Sequence, residues 1–192
     1  MTNKHTANEI ENLLGAEETV DLGILKGHIH IISGEINEAS IDAAIRWLIY
    51  ENLTHPNVPL TLYINSVGGN LCDAFALIDL MRVSNRTIRT FGIGNVMSAA
   101  FLIFAAGTKG HRYIGKNTSI LCHQFSEGVE GKFHDVRAQM RESENVNNRM
   151  VDLLTECTSL SKRVIKTKLL PPSDVWMSVE EAVKLGVADH IF

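Results

Sequence analysis

Short apolar runs alternate with amphipathic stretches along most of the chain. The runs have the length and apolar content of strands, and the stretches between them repeat apolar residues at helical spacing. The predicted strands lie at 28–36, 59–66, 87–94, 111–115 and 119–124, and the predicted helices lie at 37–55, 71–84 and 98–107. Strands that alternate with helices in this way predict an α/β fold with a largely parallel sheet.

The two ends and one long stretch depart from this alternation. Residues 1–20 are polar, and we expect them to form a flexible arm ahead of a single domain at 21–192. Residues 132–159 predict one long helix with a thin apolar stripe. Such a helix projects and packs on another subunit, or else it is simply a solvated arm. The tail predicts a short helix that stops at Gly186, followed by a final strand.

The uncharged run from Thr90 to Thr108 reaches the roughly 18 residues that a membrane span requires. Gly92 and Gly94 interrupt this run, and it also contains Ser98. A Gly-rich break favours a strand followed by a short helix over a membrane helix. We therefore expect no membrane association.

Composition narrows the class of protein further. The 192 residues carry a net charge of −4 without a basic stripe, which argues against a nucleic-acid partner. Cys72, Cys122 and Cys157 have no metal-ligand spacing and form an odd set. Such cysteines are typical of reduced thiols in the cytoplasm or in an equivalent compartment, such as a plastid stroma or a phage-infected cell. No cluster in the sequence predicts a metal or an organic cofactor.

Two predicted strand-to-helix turns are rich in small residues, INSVGGN at 64–70 and GIGNVMSAA at 92–100. Ser98 stands where the second turn enters a helix. It is either an N-cap residue or a nucleophile whose neighbouring amides stabilise an oxyanion. Gly68 and Gly69 either meet a need for positive φ or bring the Gly69 amide toward the same pocket as the Ala99 amide.

A serine nucleophile needs a base and a group that orients that base. His123 closes the apolar strand SILCH, whereas the other histidines stand in polar surroundings or could face solvent. A histidine at that position is either structural or the base. Asp174 follows a Pro-Pro turn and is either the orienting acid or a cap for the helix that begins near Ser178. The residues alone therefore leave a serine hydrolase as one interpretation among these.

Four segments in one order extend this interpretation: LTLYINSVGGN, GIGNVMSAAFLIFAAGTKGHRY, NTSILCHQ and DVWMSVEEAVKLGVADHI. Together with the 25-residue interval from Ser98 to His123, they resemble the proteolytic subunit of Clp protease from about Leu25 to the C-terminus. The resemblance implies a ClpP/crotonase-like α/β fold of repeated β-β-α units, with a parallel main sheet. It also implies a projecting handle helix at about 125–159.

The resemblance also implies roles for individual residues. Ser98 corresponds to the nucleophile, His123 to the base and Asp174 to the acid, and the amides of Gly69 and Ala99 correspond to the oxyanion hole. An extended substrate would lie between the Gly-Gly loop and the segment after the histidine. The implied groove residues are Gly68, Asn70, Leu71, Phe125, Ser126 and Glu127.

The implied function is an ATP-independent serine endopeptidase core that cleaves unfolded polypeptides inside a chamber. The implied assembly is homo-oligomeric: two heptameric rings stack through the handle into a tetradecamer, and an AAA+ unfoldase feeds the chamber. Two alternatives are a non-catalytic ring subunit that modulates an active paralogue, and a crotonase-type acyl-CoA enzyme. The complete Ser-His-Asp set argues against the first alternative, and the Ser–His spacing argues against the second.

Several positions depart from the family pattern. Val67 replaces a proline, Ala99 replaces a methionine, and Phe125 replaces a proline, so the pocket and groove have a different shape. Ser173 stands where an arginine usually couples the rings, and the N-terminal region lacks the usual apolar start and axial hairpin. The chain is therefore expected to be a divergent member of the family.

Overall fold

A computed structural model describes residues 15–126 and 128–192. Its helices are α1 (Ala16–Lys26), α2 (Glu38–Thr54), α3 (Leu71–Val83), α4 (Ala99–Ala105), α5 (Phe133–Thr158), α6 (Lys162–Val164, continued by a π-turn at Ile165–Leu169) and α7 (Val179–Lys184). Its strands are β1 (Ile29–Ile36), β2 (Leu60–Gly69), β3 (Ile88–Met97), β4 (Arg112–Ile114), β5 (Ser119–Cys122), β6 (Val175–Met177) and β7 (His190–Ile191).

The strands form one mostly parallel sheet in the order β1-β2-β3-β4-β7. Strand β3 changes neighbours along its length, because Thr90–Gly92 pairs with β4 and Asn95–Met97 pairs with β5. Strand β6 then adds to β5 in the antiparallel direction. This alternation of helices with parallel strands confirms the α/β fold that the sequence predicted and is consistent with the ClpP fold.

The apolar pattern explains why the central elements form where they do. Along β2 the residues alternate between buried and less buried, and Leu60, Leu62 and Ile64 face the core. Helix α2 begins at Asn37, whose side chain accepts from the Ser40 amide while the Ser40 hydroxyl accepts from the Asn37 amide. This reciprocal cap satisfies two amides that a helix start would otherwise leave unpaired.

The uncharged run from Thr90 to Thr108 is divided as the sequence analysis expected. Its first part is strand β3, and its second part is helix α4, all seven residues of which are buried. None of the helices in the described ranges is long and apolar enough to cross a membrane.

Strand β2 runs farther than the sequence predicted. It continues through the expected loop to Gly69, which pairs with Ile36 of β1. A Cβ at position 69 would lie 2.2 Å from the Ile36 carbonyl oxygen, so this close approach of two backbones requires glycine. The Gly-Gly segment is therefore part of the sheet and is fixed by its neighbouring strand.

The two outlying segments can be compared with their predictions. Residues 16–20 of the expected arm belong to α1, a helix without a buried residue, and residues 1–14 lie outside the described part. Helix α5 matches the predicted long helix closely. Its buried residues begin only at Val146, so the half of α5 that starts at Phe133 packs on no core within the described chain.

One ion pair closes the far edge of the sheet. Arg112 on β4 is buried, and its guanidinium donates to both carboxylate oxygens of Asp189, at 2.6 and 2.8 Å. Arg112 also donates to the Cys157 carbonyl at the end of α5. Burial by itself would raise the pKa of Asp189, but hydrogen bonds from Arg112 and from the Gly110 amide outweigh burial and hold the pKa below its usual value.

Candidate active site

Ser98 lies on a strained turn between β3 and α4. Its φ of 53° and ψ of −122° are unusual for a residue with a side chain. The turn is held from both sides, because the Ser98 amide donates to the Leu121 carbonyl and the Phe101 amide donates to the Ser98 carbonyl. A sharp strand-to-helix turn of this kind is how α/β hydrolases present a nucleophilic serine.

The Ser98 side chain is not an N-cap. It forms no capping hydrogen bond to the helix that follows it. Its Oγ lies instead 2.8 Å from Nε2 of His123. The structure therefore argues against the capping role and shows Ser98 in a hydrogen-bonded Ser–His pair.

His123 reaches Ser98 because of the way that β5 pairs with β3. These strands are parallel, with Met97 opposite Leu121, so their carboxyl ends meet at one edge of the sheet. The residue that follows His123 is also held in place, because the Gln124 side chain donates a hydrogen bond to the Leu170 carbonyl at 2.9 Å. The imidazole is thus positioned by the strand pairing that precedes it and by the Gln124 side-chain contact that follows it.

Asp174 directly precedes strand β6 and forms no hydrogen bond with the Ser–His pair. Strand β6 pairs with β5 so that Val175 faces Cys122, and continuing this register by one residue places Asp174 opposite His123. The Asp174 side chain is exposed and forms no hydrogen bond or ion pair within the described residues. The alternative role as a helix cap is wrong, because Ser178 caps α7 in a reciprocal pair with Glu181.

Gly68 lies against the nucleophile. A Cβ at position 68 would be 2.6 Å from the Ser98 Cβ and 3.1 Å from the Ala99 nitrogen. Its φ of 97° also favours glycine, and its amide donates to the Ser66 hydroxyl. Gly68 and the turn that leads into α4 are therefore packed closely beside Ser98.

A small pocket surrounds the Ser–His pair. Its lining residues are Gly69, Leu71, Ser98, Ala99, His123, Gln124, Phe125, Ser126 and Met150. The two backbones that were expected to supply oxyanion amides, at Gly69 and Ala99, border the same pocket as the nucleophile. The arrangement suits attack by a serine on a carbonyl group, with amide dipoles close to the developing charge.

The groove residues expected from sequence divide into three groups. Leu71, Phe125 and Ser126 line the pocket, as expected. Gly68 and Asn70 do not line it. Gly68 packs against Ser98, and the Asn70 side chain caps α3 by accepting from the Cys72 and Asp73 amides. Glu127 lies outside the described residues.

Sequence reasoning missed two residues of the pocket wall, Gln124 and Met150. Gln124 is adjacent to His123 in the chain, so adjacency to the proposed base was an available signal. Met150 comes from the buried half of α5 and was interpreted only as part of an apolar stripe. Nothing in its spacing distinguishes a methionine in the core from one at the edge of a pocket.

Cys122 does not compete with Ser98 as a nucleophile. It precedes His123 but is buried, and burial raises the pKa of its thiol to about 12. Cys72 is exposed and Cys157 is partly buried, and all three thiols are free.

The fold and the site together define the class of protein. The chain is a mixed α/β protein in which a serine on a strained turn is hydrogen-bonded to a histidine at the carboxyl ends of parallel strands. The family model described as Clp protease matches residues 11–192. The chain belongs to the Clp protease family, and this membership implies a serine peptidase.

Proposed function

We propose that the chain is a serine endopeptidase core that cleaves unfolded polypeptides without using ATP itself. The observation that carries the proposal is the 2.8 Å hydrogen bond between Ser98 Oγ and His123 Nε2. A serine of ordinary pKa becomes nucleophilic when a neighbouring base removes its proton. A merely structural serine at this helix start would be expected to cap the helix, and Ser98 does not.

The chemistry follows from the positions around this bond. His123 takes the Ser98 proton while Oγ attacks the peptide carbonyl, and it then returns the proton to the leaving amine. The oxyanion forms beside the Gly69 and Ala99 backbones, whose N–H groups are the proposed donors. A water molecule activated by the same imidazole releases the acyl group and restores the serine.

Asp174 is the proposed orienting acid. The β5–β6 register supports this role, because extending the pairing of Cys122 with Val175 by one residue would bring Asp174 opposite His123. An acceptor on Nδ1 would hold the imidazole with its Nε2 lone pair toward Ser98. Since no such bond is formed in this single chain, closing it requires a movement of the exposed segment that precedes β6.

We propose that the substrate binds in an extended form between the Gly-Gly segment and the residues that follow His123. Leu71, Phe125 and Ser126 border the pocket there. Backbone pairing with an extended chain gives weak side-chain selectivity. Selection would then depend on access to the site, which suits a sealed chamber.

The exposed half of α5 supports the proposed ring assembly. Phe133 is 78% exposed and Met140 is 57% exposed, and both lie in the half of the helix that packs on no core within the described chain. Apolar side chains on such a surface are typical of a contact with another subunit. We infer heptameric rings that stack through this helix in a reducing compartment such as the cytoplasm, with an AAA+ unfoldase or a paralogous subunit as partner.

Labelling with a fluorophosphonate probe tests the peptidase directly. The wild-type chain, in an assembly verified by its mass in solution, should be labelled and should hydrolyse a fluorogenic peptide. Ser98→Ala should abolish both signals, whereas Ser119→Ala, at an exposed position on β5, should retain both. An assembled wild type that stays unlabelled would contradict the proposal and favour the non-catalytic ring subunit.

A further inference from the structure

Three side chains converge at the opposite end of the sheet from Ser98. His28 precedes β1, and Glu51 and His55 lie at the end of α2. Nδ1 of His28 is 2.8 Å from Oε2 of Glu51, and Nδ1 of His55 is 3.1 Å from the same oxygen. One ligand atom from each residue lies within 4.8 Å of the other two.

Glu51 is the unusual member of this cluster. It is 0% exposed, yet both imidazoles approach Oε2, and its Oε1 has no hydrogen-bond partner within the described residues. A buried carboxylate normally fills the capacity of both oxygens, because an unpaired buried acceptor is costly. A ligand bound through Oε2 and the two imidazoles would lie beside the unpaired Oε1 of the same carboxylate, so the orphaned oxygen is consistent with a ligand that these three side chains share.

The nearby guanidinium does not fill this role. Burial lowers the pKa of Arg86, and the negative charge of Glu51 raises it by a smaller amount. The two groups therefore lie close enough to interact electrostatically. The Arg86 N–H groups nevertheless donate elsewhere, to the Val58 carbonyl and to Asn52 Oδ1. Oε1 of Glu51 receives none of these hydrogen bonds.

The backbone holds the cluster in place. His28 has a φ of 55°, a left-handed conformation that few residues with side chains adopt. Glu51 and His55 are four residues apart, so they share one face of the helix end, and the His55 amide donates to the Glu51 carbonyl. The three ligand atoms are thus brought together by two rigid elements, with no long loop among them.

We propose that His28, Glu51 and His55 bind a divalent transition-metal ion, with Zn²⁺ as the best fit. Two imidazoles and one carboxylate form a donor set that zinc accepts, with water in the fourth position. Tetrahedral bonds of about 2.1 Å place ligand atoms roughly 3.4 Å apart. The observed 2.8 and 3.1 Å would therefore open by about 0.6 and 0.3 Å.

The position of this site indicates what the ion would do. Strands β1, β2 and β3 are parallel, so their amino ends share one edge of the sheet and Ser98 lies at the other. The ion would cross-link the end of α2 to the start of β1 and would take no part in the Ser–His chemistry. Sequence analysis expected no metal site, because β1 and α2 both lie between these two histidines in the chain.

Direct metal binding tests the proposal. The full chain, stripped with a chelator, is titrated with ZnCl₂ by calorimetry, and its metal content is then measured. We expect about one zinc per chain and a Tm that rises with zinc concentration, because the ion binds the folded state. Co²⁺ in place of zinc should give the visible bands of a four-coordinate ion.

Two variants and one control locate the ion. His28→Asn keeps a side chain that tolerates positive φ, and His55→Asn changes a half-exposed ring, so we expect both variants to fold. Loss of a residue that only supports a metal ligand lowers metal affinity by about 10- to 100-fold, and loss of a ligand itself should cost more. Each variant should therefore bind zinc at least about 100-fold more weakly than the wild type. His134→Asn, at an exposed position on α5, should bind like the wild type.

Several results would overturn the proposal. Absence of saturable binding by the wild type would leave the cluster as two imidazoles hydrogen-bonded to a carboxylate. Wild-type affinity in both cluster variants would place the ion elsewhere. Loss of binding in His134→Asn would do the same. Melting curves recorded without metal show whether each variant is folded, so a folding defect is not mistaken for a lost ligand.

Discussion

Gly68→Ala is the sharpest test of the packing around the proposed nucleophile. The added Cβ would lie 2.6 Å from the Ser98 Cβ and 2.8 Å from the Met97 carbonyl oxygen, whereas ordinary contacts begin at 3.4 Å. One side of the contact must therefore move by about 0.8 Å. Met97 and Ser98 are fixed by β5 and α4, so the displacement falls on the turn that holds the nucleophile or on the Gly-Gly segment.

The size of the effect follows from that displacement. A misplacement of about 1 Å in a reacting group can cost roughly 100-fold in rate. We therefore expect Gly68→Ala to lower both the rate of fluorophosphonate labelling and kcat/KM for a peptide by about 100-fold. The positive φ of 97° adds a stability cost of about 1–2 kcal/mol, which should lower Tm by a few degrees.

Gly110→Ala is the matched control. Its φ of 84° imposes a similar backbone strain, but a Cβ at position 110 would meet nothing within 4 Å. We expect Gly110→Ala to lower Tm by the same few degrees that the backbone strain costs Gly68→Ala. Its activity should stay within about twofold of the wild type. If Gly68→Ala labels as fast as Gly110→Ala, then contact with Gly68 does not hold Ser98 in position, and this account of the site is refuted.

Three further predictions concern other parts of the chain. Asp174→Asn should lower kcat by up to about 10⁴-fold, and a loss below tenfold would mean that another group orients the imidazole. Asp189→Asn leaves Arg112, which is 2% exposed, without its partner, at a cost of roughly 3 kcal/mol in thermal or urea unfolding. The pKa of Asp189 is depressed in the folded state, so the stability that the ion pair contributes is present above about pH 4 and is lost as pH falls through the folded pKa. Equal melting temperatures of the variant and the wild type at pH 7 would contradict this prediction. Phe133→Asp should leave single rings by mass in solution, and an unchanged mass would exclude the exposed half of α5 from the ring contact.

The predictable part of the molecule was the part with local signals. Strands and helices between 28 and 124 follow the alternation of apolar runs and amphipathic stretches, because each element buries one face and its apolar residues recur at the spacing of that element. The thin apolar stripe of the long polar stretch predicted α5 in the same way. Ser98 could be singled out from the residues alone, but its hydrogen bond to His123 in place of a capping bond is seen only in the structure.

The rest depends on contacts between distant parts of the chain. Strand β6, which Asp174 directly precedes, pairs with β5, which His123 directly follows, and no local pattern of the sequence reveals this pairing. The composition of the Gly-Gly segment resembles that of a loop. Gly69 nevertheless belongs to β2, because it pairs with the backbone of Ile36. His28 and His55 were interpreted as surface residues because the buried carboxylate between them is visible only after folding.

The complete burial of α4 has a consequence for how the protein would lose activity. All seven residues from Ala99 to Ala105 are buried, and the amides beyond Ala99, which borders the pocket, can exchange hydrogen only when the surrounding core opens. The turn that carries Ser98 is therefore attached to one of the last segments expected to open. Heat should inactivate the protein together with cooperative unfolding rather than through earlier local fraying of this turn. Hydrogen exchange in α4, followed beside activity on heating, would show one transition shared by both.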